Sequence, residues 1–163
     1  MDRYAFGRNS LLAGCFLLPT SGYIGPILIL FACICGSSLQ GVKALLAKKM
    51  YPLYLLVVFI LVSSLTSHFG LESCAGFFNW LPFVWLFWSL SIYLQDKSNI
   101  KRVAMSLVYG TIPVLIVGFS QLIFGFTGSY RILGSFIVWH VLDTDQFTGV
   151  FYNRNICAAW LAA

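Results

Sequence analysis

The sequence predicts an all-α fold: a polytopic helical membrane protein with about five transmembrane helices and the start of a sixth, truncated at its C-terminus. Hydrophobic residues make up 60% of the chain and charged residues only 9%, against about 25% charged residues in soluble domains. The apolar runs are long and do not alternate with polar residues. Because a backbone in lipid must satisfy its own hydrogen bonds, helices rather than barrel strands are expected.

The first two predicted helices cover residues 4–20 and 23–40. Residues 9–42 carry no charge, and residues 19–26 contain Pro and Gly, which break helices. The stretch can cross a membrane twice, as a hairpin, or once. A hairpin places eight Lys and Arg residues on one side and two on the other, whereas one crossing gives six and four. The positive-inside rule favours the hairpin, with a cytoplasmic N-terminus.

Three further spans are predicted at residues 51–67, 75–94 and 103–126, each an apolar run separated from the next by polar residues. Basic residues precede the first and the third of these spans: Lys43, Lys48 and Lys49, then Lys97, Lys101 and Arg102. Such clusters are typical of the cytoplasmic loops of membrane proteins. The sequence therefore predicts a multi-pass protein of the plasma membrane.

The sixth run, residues 156–163, begins as an apolar helix and contains eight residues. A helix needs roughly 20 apolar residues to cross the hydrocarbon core of a bilayer. This run therefore predicts that residues 1–163 are the N-terminal transmembrane region of a larger multi-helix protein.

The net charge of +5 does not indicate a nucleic-acid partner, because the ten Lys and Arg residues are spread between apolar runs and form no dense stripe. The five cysteines have neither a metal-ligand spacing nor that of a disulfide framework. No phosphate-binding loop, dinucleotide fingerprint or nucleophile elbow occurs. Membrane lipid is the expected partner, with no cofactor and no metal.

Four residues are candidates for substrate binding: Gln121, Asn153, Arg154 and Asn155. Gln121 is a polar residue inside a span, where it either bonds a neighbouring helix or contacts a substrate. Asn153 and Asn155 can cap the last helix. Alternatively, the first N–H groups of that helix bind a phosphate, with Arg154 supplying a positive charge.

Other residues have a plain and a functional interpretation. Asp143 and Asp145 are either ordinary loop acids or metal contacts, and His140 is either an interfacial residue or a general base. Trp85 and Trp88, one helical turn apart, either pack against lipid and helices or form an aromatic wall along a lipid-linked substrate.

Three stretches of the sequence resemble one known family when they are taken together. They are residues 78–94, residues 110–128 and residues 148–161. The third stretch carries a Gly-x-Phe-x-Asn-x-Asn-x-x-Ala-x-x-Leu pattern. In this order the stretches resemble the O-antigen ligase and O-antigen polymerase-like family, and most of all its cyanobacterial branch, whose members were once named as inorganic-carbon transporters.

The resemblance implies a multi-helix glycosyltransferase of the bacterial inner membrane, active in lipopolysaccharide or polysaccharide biosynthesis for the cell envelope. Such enzymes transfer a glycan from an undecaprenyl diphosphate carrier to an acceptor at the outer face, without nucleotide sugar or metal. A lipid-linked oligosaccharide or polysaccharide is then a partner. The family's key Arg and His lie in a large outer loop near the C-terminus, so no catalytic residue is assigned here, and the chain alone is expected to be inactive.

Two alternative functions remain open from the sequence. A transporter of a small anion such as bicarbonate would place charged residues within its spans, and the predicted spans from residue 51 onward have none. A short structural membrane protein is the other alternative.

Overall fold

A computed structural model describes residues 2–40, 50–68, 71–132, 134, 137–141, 147–151 and 154–162, with residues 71, 73, 74 and 154 described by the backbone alone. This part of the chain forms six helices and one two-stranded antiparallel sheet. The helices are α1 (Arg3–Leu17), α2 (Ile24–Leu39), α3 (Tyr51–Leu65), α4 (Leu71–Leu90), α5 (Lys97–Phe124) and α6 (Arg154–Ala162). The strands are β1 (Gly128–Ile132) and β2 (Ile137–Val141).

The predicted fold class is wrong in two respects. About five membrane-crossing helices were expected, but among the described helices α5 alone is long and apolar enough to cross a membrane. Helices α2 and α3 contain 16 and 15 residues, which is about 24 Å at 1.5 Å per residue, short of a hydrocarbon core of roughly 30 Å. The chain is also not all-α, since β1 and β2 form a hairpin.

The error arises because an apolar run and a helix end at different residues. The run predicted at residues 75–94 continues through a turn after Leu90, in which the Tyr93 amide donates to the Leu90 carbonyl at 3.0 Å. The apolar part of α4 is therefore only Ala75–Leu90. Helix α5 qualifies as a possible membrane span by its length and composition alone. The core helix of a soluble protein can have the same length and composition.

Helix α5 is bounded by residues that suit its ends. The Asp96 carboxylate accepts from the Ser98 amide at 3.3 Å, which is the typical N-cap arrangement. At the other end Gly125 has φ 65° and its amide donates to the Gln121 carbonyl. This left-handed conformation suits glycine and ends the helix.

Helices α1 and α2 pack as an antiparallel pair, and α5 lies beside α1 in the same direction. The Asn99 amide of α5 donates to the Tyr4 hydroxyl of α1 at 3.0 Å. Further along both helices, Gly110 of α5 packs against the Phe16 carbonyl of α1. The N-termini of α1 and α5 are consequently at the same end of the molecule.

The Tyr93 side chain lies at the centre of this packing. Its side chain is fully buried, and its hydroxyl donates to the Ala32 carbonyl of α2 at 3.2 Å. The ring lies 5.5 Å from the Tyr4 ring, and it packs against Gly7 and Gly36. Burial, and then the nearby thiols, raise the pKa of Tyr93 to about 12, so the hydroxyl remains protonated and a donor at neutral pH.

The C-terminal end of α2 is fastened to the C-terminal end of α4 by one side chain. The Gln40 amide donates to the Trp88 carbonyl at 2.9 Å and to the Ser89 carbonyl at 3.1 Å. Carbonyls in the last turn of a helix have no partner within the helix. Gln40 supplies that partner and fixes α4 beside α2.

Replacement of Gly36 by Ala tests this close approach. A Cβ at Gly36 would meet the Ser89 carbonyl oxygen, a backbone atom that can move only with α4. We expect Gly36→Ala to lower the free energy of unfolding by about 1–3 kcal/mol, the usual cost of overpacking. Thermal unfolding in detergent measures the effect.

Gly76→Ala is the matched control, because a Cβ at Gly76 meets no atom of the described residues within 4 Å. Ala in a helix interior is favoured over Gly by roughly 0.5–1 kcal/mol, so this variant is expected to be as stable as the parent or more so. Equal stability of the two variants would contradict the proposed packing.

Candidate functional site

The candidate site lies at the C-terminal end of α5, where the β-hairpin, residues 147–151 and the start of α6 come together. Buried residues from these elements form one apolar cluster: Val114, Val117, Val141, Val150 and Cys157. The cluster holds the polar groups of this end in place. We call this region the hairpin end.

A buried polar contact fixes residues 147–151 to α5. The Gln121 side-chain oxygen accepts from the Thr148 amide at 3.0 Å and from the Thr148 hydroxyl at 3.1 Å. Gln121 is 4% exposed and Thr148 is 2% exposed. An unpaired amide here would carry its full desolvation cost, so this bond selects the position of the loop.

Two glycines allow the loop to approach α5 closely. Gly118 packs directly against the Phe147 ring. Gly149 has φ 57°, and a Cβ there would lie 2.9 Å from a Val114 methyl carbon. Glycine at position 149 therefore allows both the left-handed backbone and the close approach of the loop to Val114.

The hairpin is seated by aromatic residues on one of its faces. Tyr130 pairs with Trp139 across the strands, and both rings pack against the apolar cluster. The Trp139 indole N–H donates to the Thr20 carbonyl in the turn between α1 and α2, at 2.9 Å. The hairpin thus rests on the end of the α1–α2 pair.

The other face of the hairpin carries three exposed polar residues, Ser129, Arg131 and His140, beside the half-buried Val138. Ser129 pairs with His140, and the Ser129 hydroxyl lies 3.0 Å from His140 Nδ1. Arg131 lies two residues from Ser129 on the same strand, and therefore on the same face. A guanidinium binds phosphate through a planar set of donors.

Sequence reasoning singled out His140 but missed Ser129 and Arg131. The two strands could have been predicted from composition, since residues 128–132 and 137–141 contain β-branched and aromatic residues that favour strands. A two-stranded register across residues 133–136 would have placed Ser129 opposite His140.

The structure places the four predicted binding residues differently. Gln121 is buried and its oxygen is bonded to Thr148. Asn155 is exposed in the first turn of α6. Arg154 begins α6, but its side chain lies outside the described residues, as does the whole of Asn153. The contact of these residues with a substrate stays a prediction.

The predicted acids Asp143 and Asp145, and the basic residues Lys43, Lys48 and Lys49, also lie outside the described residues. Within the described ranges, no three His, Cys, Asp or Glu side chains come together as a metal site would require. Trp85 and Trp88, predicted as a wall or as packing, are half-buried in α4.

An apolar groove of about 870 Å³ runs along α5, between the end of α1 and α6. Its lining residues are Leu18, Ala104, Leu107, Val108, Thr111, Ile112, Leu115, Trp160 and Leu161. Thr111 and Trp160 are the lining residues with polar side-chain atoms, and these atoms bond each other: the Trp160 N–H donates to the Thr111 hydroxyl at 3.4 Å. That hydroxyl donates to the Leu107 carbonyl at 2.8 Å.

Comparison with known proteins gives no family for this chain: no protein-family model matches it, and neither a curated protein nor a solved structure is similar to it.

The buried contact between Gln121 and Thr148 can be tested by substitution. Gln121→Leu leaves the Thr148 amide without its acceptor in an apolar cluster, so we expect the free energy of unfolding to fall by about 1–3 kcal/mol. Thr148→Val removes only the hydroxyl bond and should cost about 0.5–1.5 kcal/mol. Denaturant unfolding of both variants measures which one loses more stability. A Gln121→Leu protein as stable as the parent would refute the contact.

Proposed function

We propose that this chain belongs to the membrane part of a glycosyltransferase of the O-antigen ligase and polymerase-like class, which acts on undecaprenyl diphosphate-linked glycan. One observation carries the proposal. The second and third stretches of the family resemblance meet in the fold, through the bond from Thr148 to Gln121 and the packing of Gly149 on Val114. Residues that resemble one family in sequence thus form one contiguous unit at the hairpin end.

The membrane location is supported by the surface of α5. Large apolar side chains project from it along its length, with Val108 60% exposed, Ile116 61% and Phe124 80%. The helix has 28 residues, about 42 Å at 1.5 Å per residue, which matches the 40–45 Å of a bilayer with its headgroups. Lipid is the solvent in which this surface carries no hydrophobic cost.

In this proposal α5 crosses the bacterial inner membrane with Lys97, Lys101 and Arg102 in the cytoplasm, as the positive-inside rule requires. The N-terminus of the chain is cytoplasmic too, because Tyr4 and Asn99 are hydrogen bonded at that end. The hairpin end then faces outward. The shorter apolar helices contact lipid without being assigned a crossing.

The exposed face of Ser129, Arg131 and His140 supports a role for the hairpin end in binding a diphosphate. The guanidinium of Arg131 is permanently charged and can bond two phosphate oxygens at once. The Ser129 hydroxyl and the His140 ring, 3.0 Å apart, supply further polar groups beside Arg131. These residues bind the carrier headgroup, and no catalytic step is assigned to them.

Cysteine labelling tests the orientation. In a Cys35→Ser, Cys74→Ser background, we expect a membrane-impermeant maleimide to label His140→Cys on intact spheroplasts, and Lys101→Cys only after lysis. Both positions are exposed in the structure, so both should react once the membrane is open. Labelling of position 101 from outside, or recovery of the protein in the soluble fraction, would overturn the proposed location.

Lipid binding tests the substrate class. Native mass spectrometry of the detergent-purified protein compares undecaprenyl diphosphate with undecaprenol, which has the same chain and no phosphate. We expect the diphosphate to bind more tightly, and Arg131→Gln to reduce this preference about tenfold, the loss of one charge-assisted bond.

Arg102→Gln is the matched control for that measurement, since it removes the same charge at the opposite end of α5. Equal binding of the two lipids by the parent protein would refute the proposed function. An equal loss in the Arg102→Gln variant would show that net charge, rather than the hairpin end, sets the preference.

A further inference from the structure

We propose that the groove along α5 is a binding site for an anionic phospholipid of the leaflet on the Lys97 side of the membrane. The acyl chain occupies the groove, and the phosphate headgroup is held by Lys97 and Lys101. This inference rests on the proposed membrane crossing of α5, but not on the proposed transferase function.

The groove has the chemistry of a hydrocarbon site. Eight of its nine lining residues are apolar or have apolar contact surfaces, and the polar atoms of Thr111 and Trp160 are bonded to each other. A sugar or a peptide would bury its own hydrogen-bonding groups there without partners, at a cost of roughly 1–3 kcal/mol for each. A hydrocarbon chain has no such groups.

The length of the groove matches one leaflet. Its α5 residues extend from Ala104 to Leu115, eleven rises of 1.5 Å, or about 17 Å. Half of a hydrocarbon core of roughly 30 Å is about 15 Å. With α5 centred in the bilayer, residues 110 and 111 lie at the midplane, so a chain in the groove extends from the headgroup level beyond Ala104 to about 7 Å past the midplane.

Two cations continue the same stripe of α5 beyond Ala104. Residues spaced by three or four share a helix face, and Lys97, Lys101, Ala104, Val108, Thr111 and Leu115 follow this spacing. Both lysines are exposed. Lys101 is about 4.5 Å along the axis from Ala104, which is the level of the headgroups. The charge of the two lysines is complementary to an anionic headgroup and gives no net attraction to a neutral one.

A third cation lies at the same level. Helices α1 and α5 run in parallel, with Tyr4 beside Asn99, so Arg8 of α1 is level with the residues one turn beyond Asn99. Its Nε atom is buried and has no hydrogen-bond partner among the described residues. Arg8 therefore adds positive charge at the level of the two lysines.

The test is native mass spectrometry of the detergent-purified protein with phosphatidylglycerol and phosphatidylcholine of identical acyl chains. We expect phosphatidylglycerol to bind more tightly. Each lysine near a membrane surface contributes about 1 kcal/mol toward an anionic lipid, or roughly fivefold. Lys97→Gln with Lys101→Gln should therefore reduce the preference about 25-fold.

Two variants distinguish the groove from a diffuse surface charge. Arg102→Gln is the matched control, because Arg102 is exposed on the same turn of α5 but off the stripe, and it should leave the preference unchanged. Val108→Trp fills the groove and should weaken the binding of both phospholipids.

Three results would overturn the proposal. The first is a loss of the phosphatidylglycerol preference in Arg102→Gln equal to that in the lysine double variant. The second is displacement of phosphatidylglycerol by millimolar inorganic phosphate, which indicates a site for phosphate without a site for the acyl chain. The third is tighter binding of undecaprenyl diphosphate than of phosphatidylglycerol with the same dependence on Lys97 and Lys101, which would assign the groove to the carrier lipid.

Discussion

The packing of the N-terminal half depends on one fully buried side chain, that of Tyr93. Its hydroxyl bonds the Ala32 carbonyl in the middle of α2, and its ring fills the space left by Gly7 and Gly36. Because α1, α2 and the end of α4 all contact this ring, their spacing is set by its size. Asn99 follows Tyr93 by six residues, and its amide donates to the Tyr4 hydroxyl. The position of α5 beside α1 is therefore tied to the position of Tyr93.

The two ends of α5 have different tasks under the two proposals. At the N-terminal end, exposed lysines and an apolar groove suit a phospholipid of the near leaflet. At the C-terminal end, Gln121 and Gly118 hold a loop and a hairpin whose outer face carries Arg131 and His140. The helix between them carries no charge from Val103 to Phe124. In the two proposals it separates two anion-binding ends by the thickness of a bilayer.

The positions of the helices could be predicted from the sequence, but their lengths and packing could not. Each of the six apolar runs contains or overlaps a helix, since apolar composition and the breakers at residues 19–26 are local signals. The number of membrane crossings was wrong because α2, α3 and the apolar part of α4 are too short, and in α4 the apolar run continues into a turn after Leu90. The bond from Thr148 to Gln121 spans 27 residues, and the pairing of Ser129 with His140 requires a register, so neither follows from a local pattern.

The place of Tyr93 in the chain has a consequence for the order of assembly during synthesis. Helices α1 and α2 are complete at Leu39, whereas the ring that packs against both of them is 54 residues further on. At about 5–20 residues per second, the ribosome takes roughly 3–10 s to supply it. Until then Gly7 and Gly36 lack the ring that packs against them. The packing of the first two helices is therefore complete only after α4 has been made.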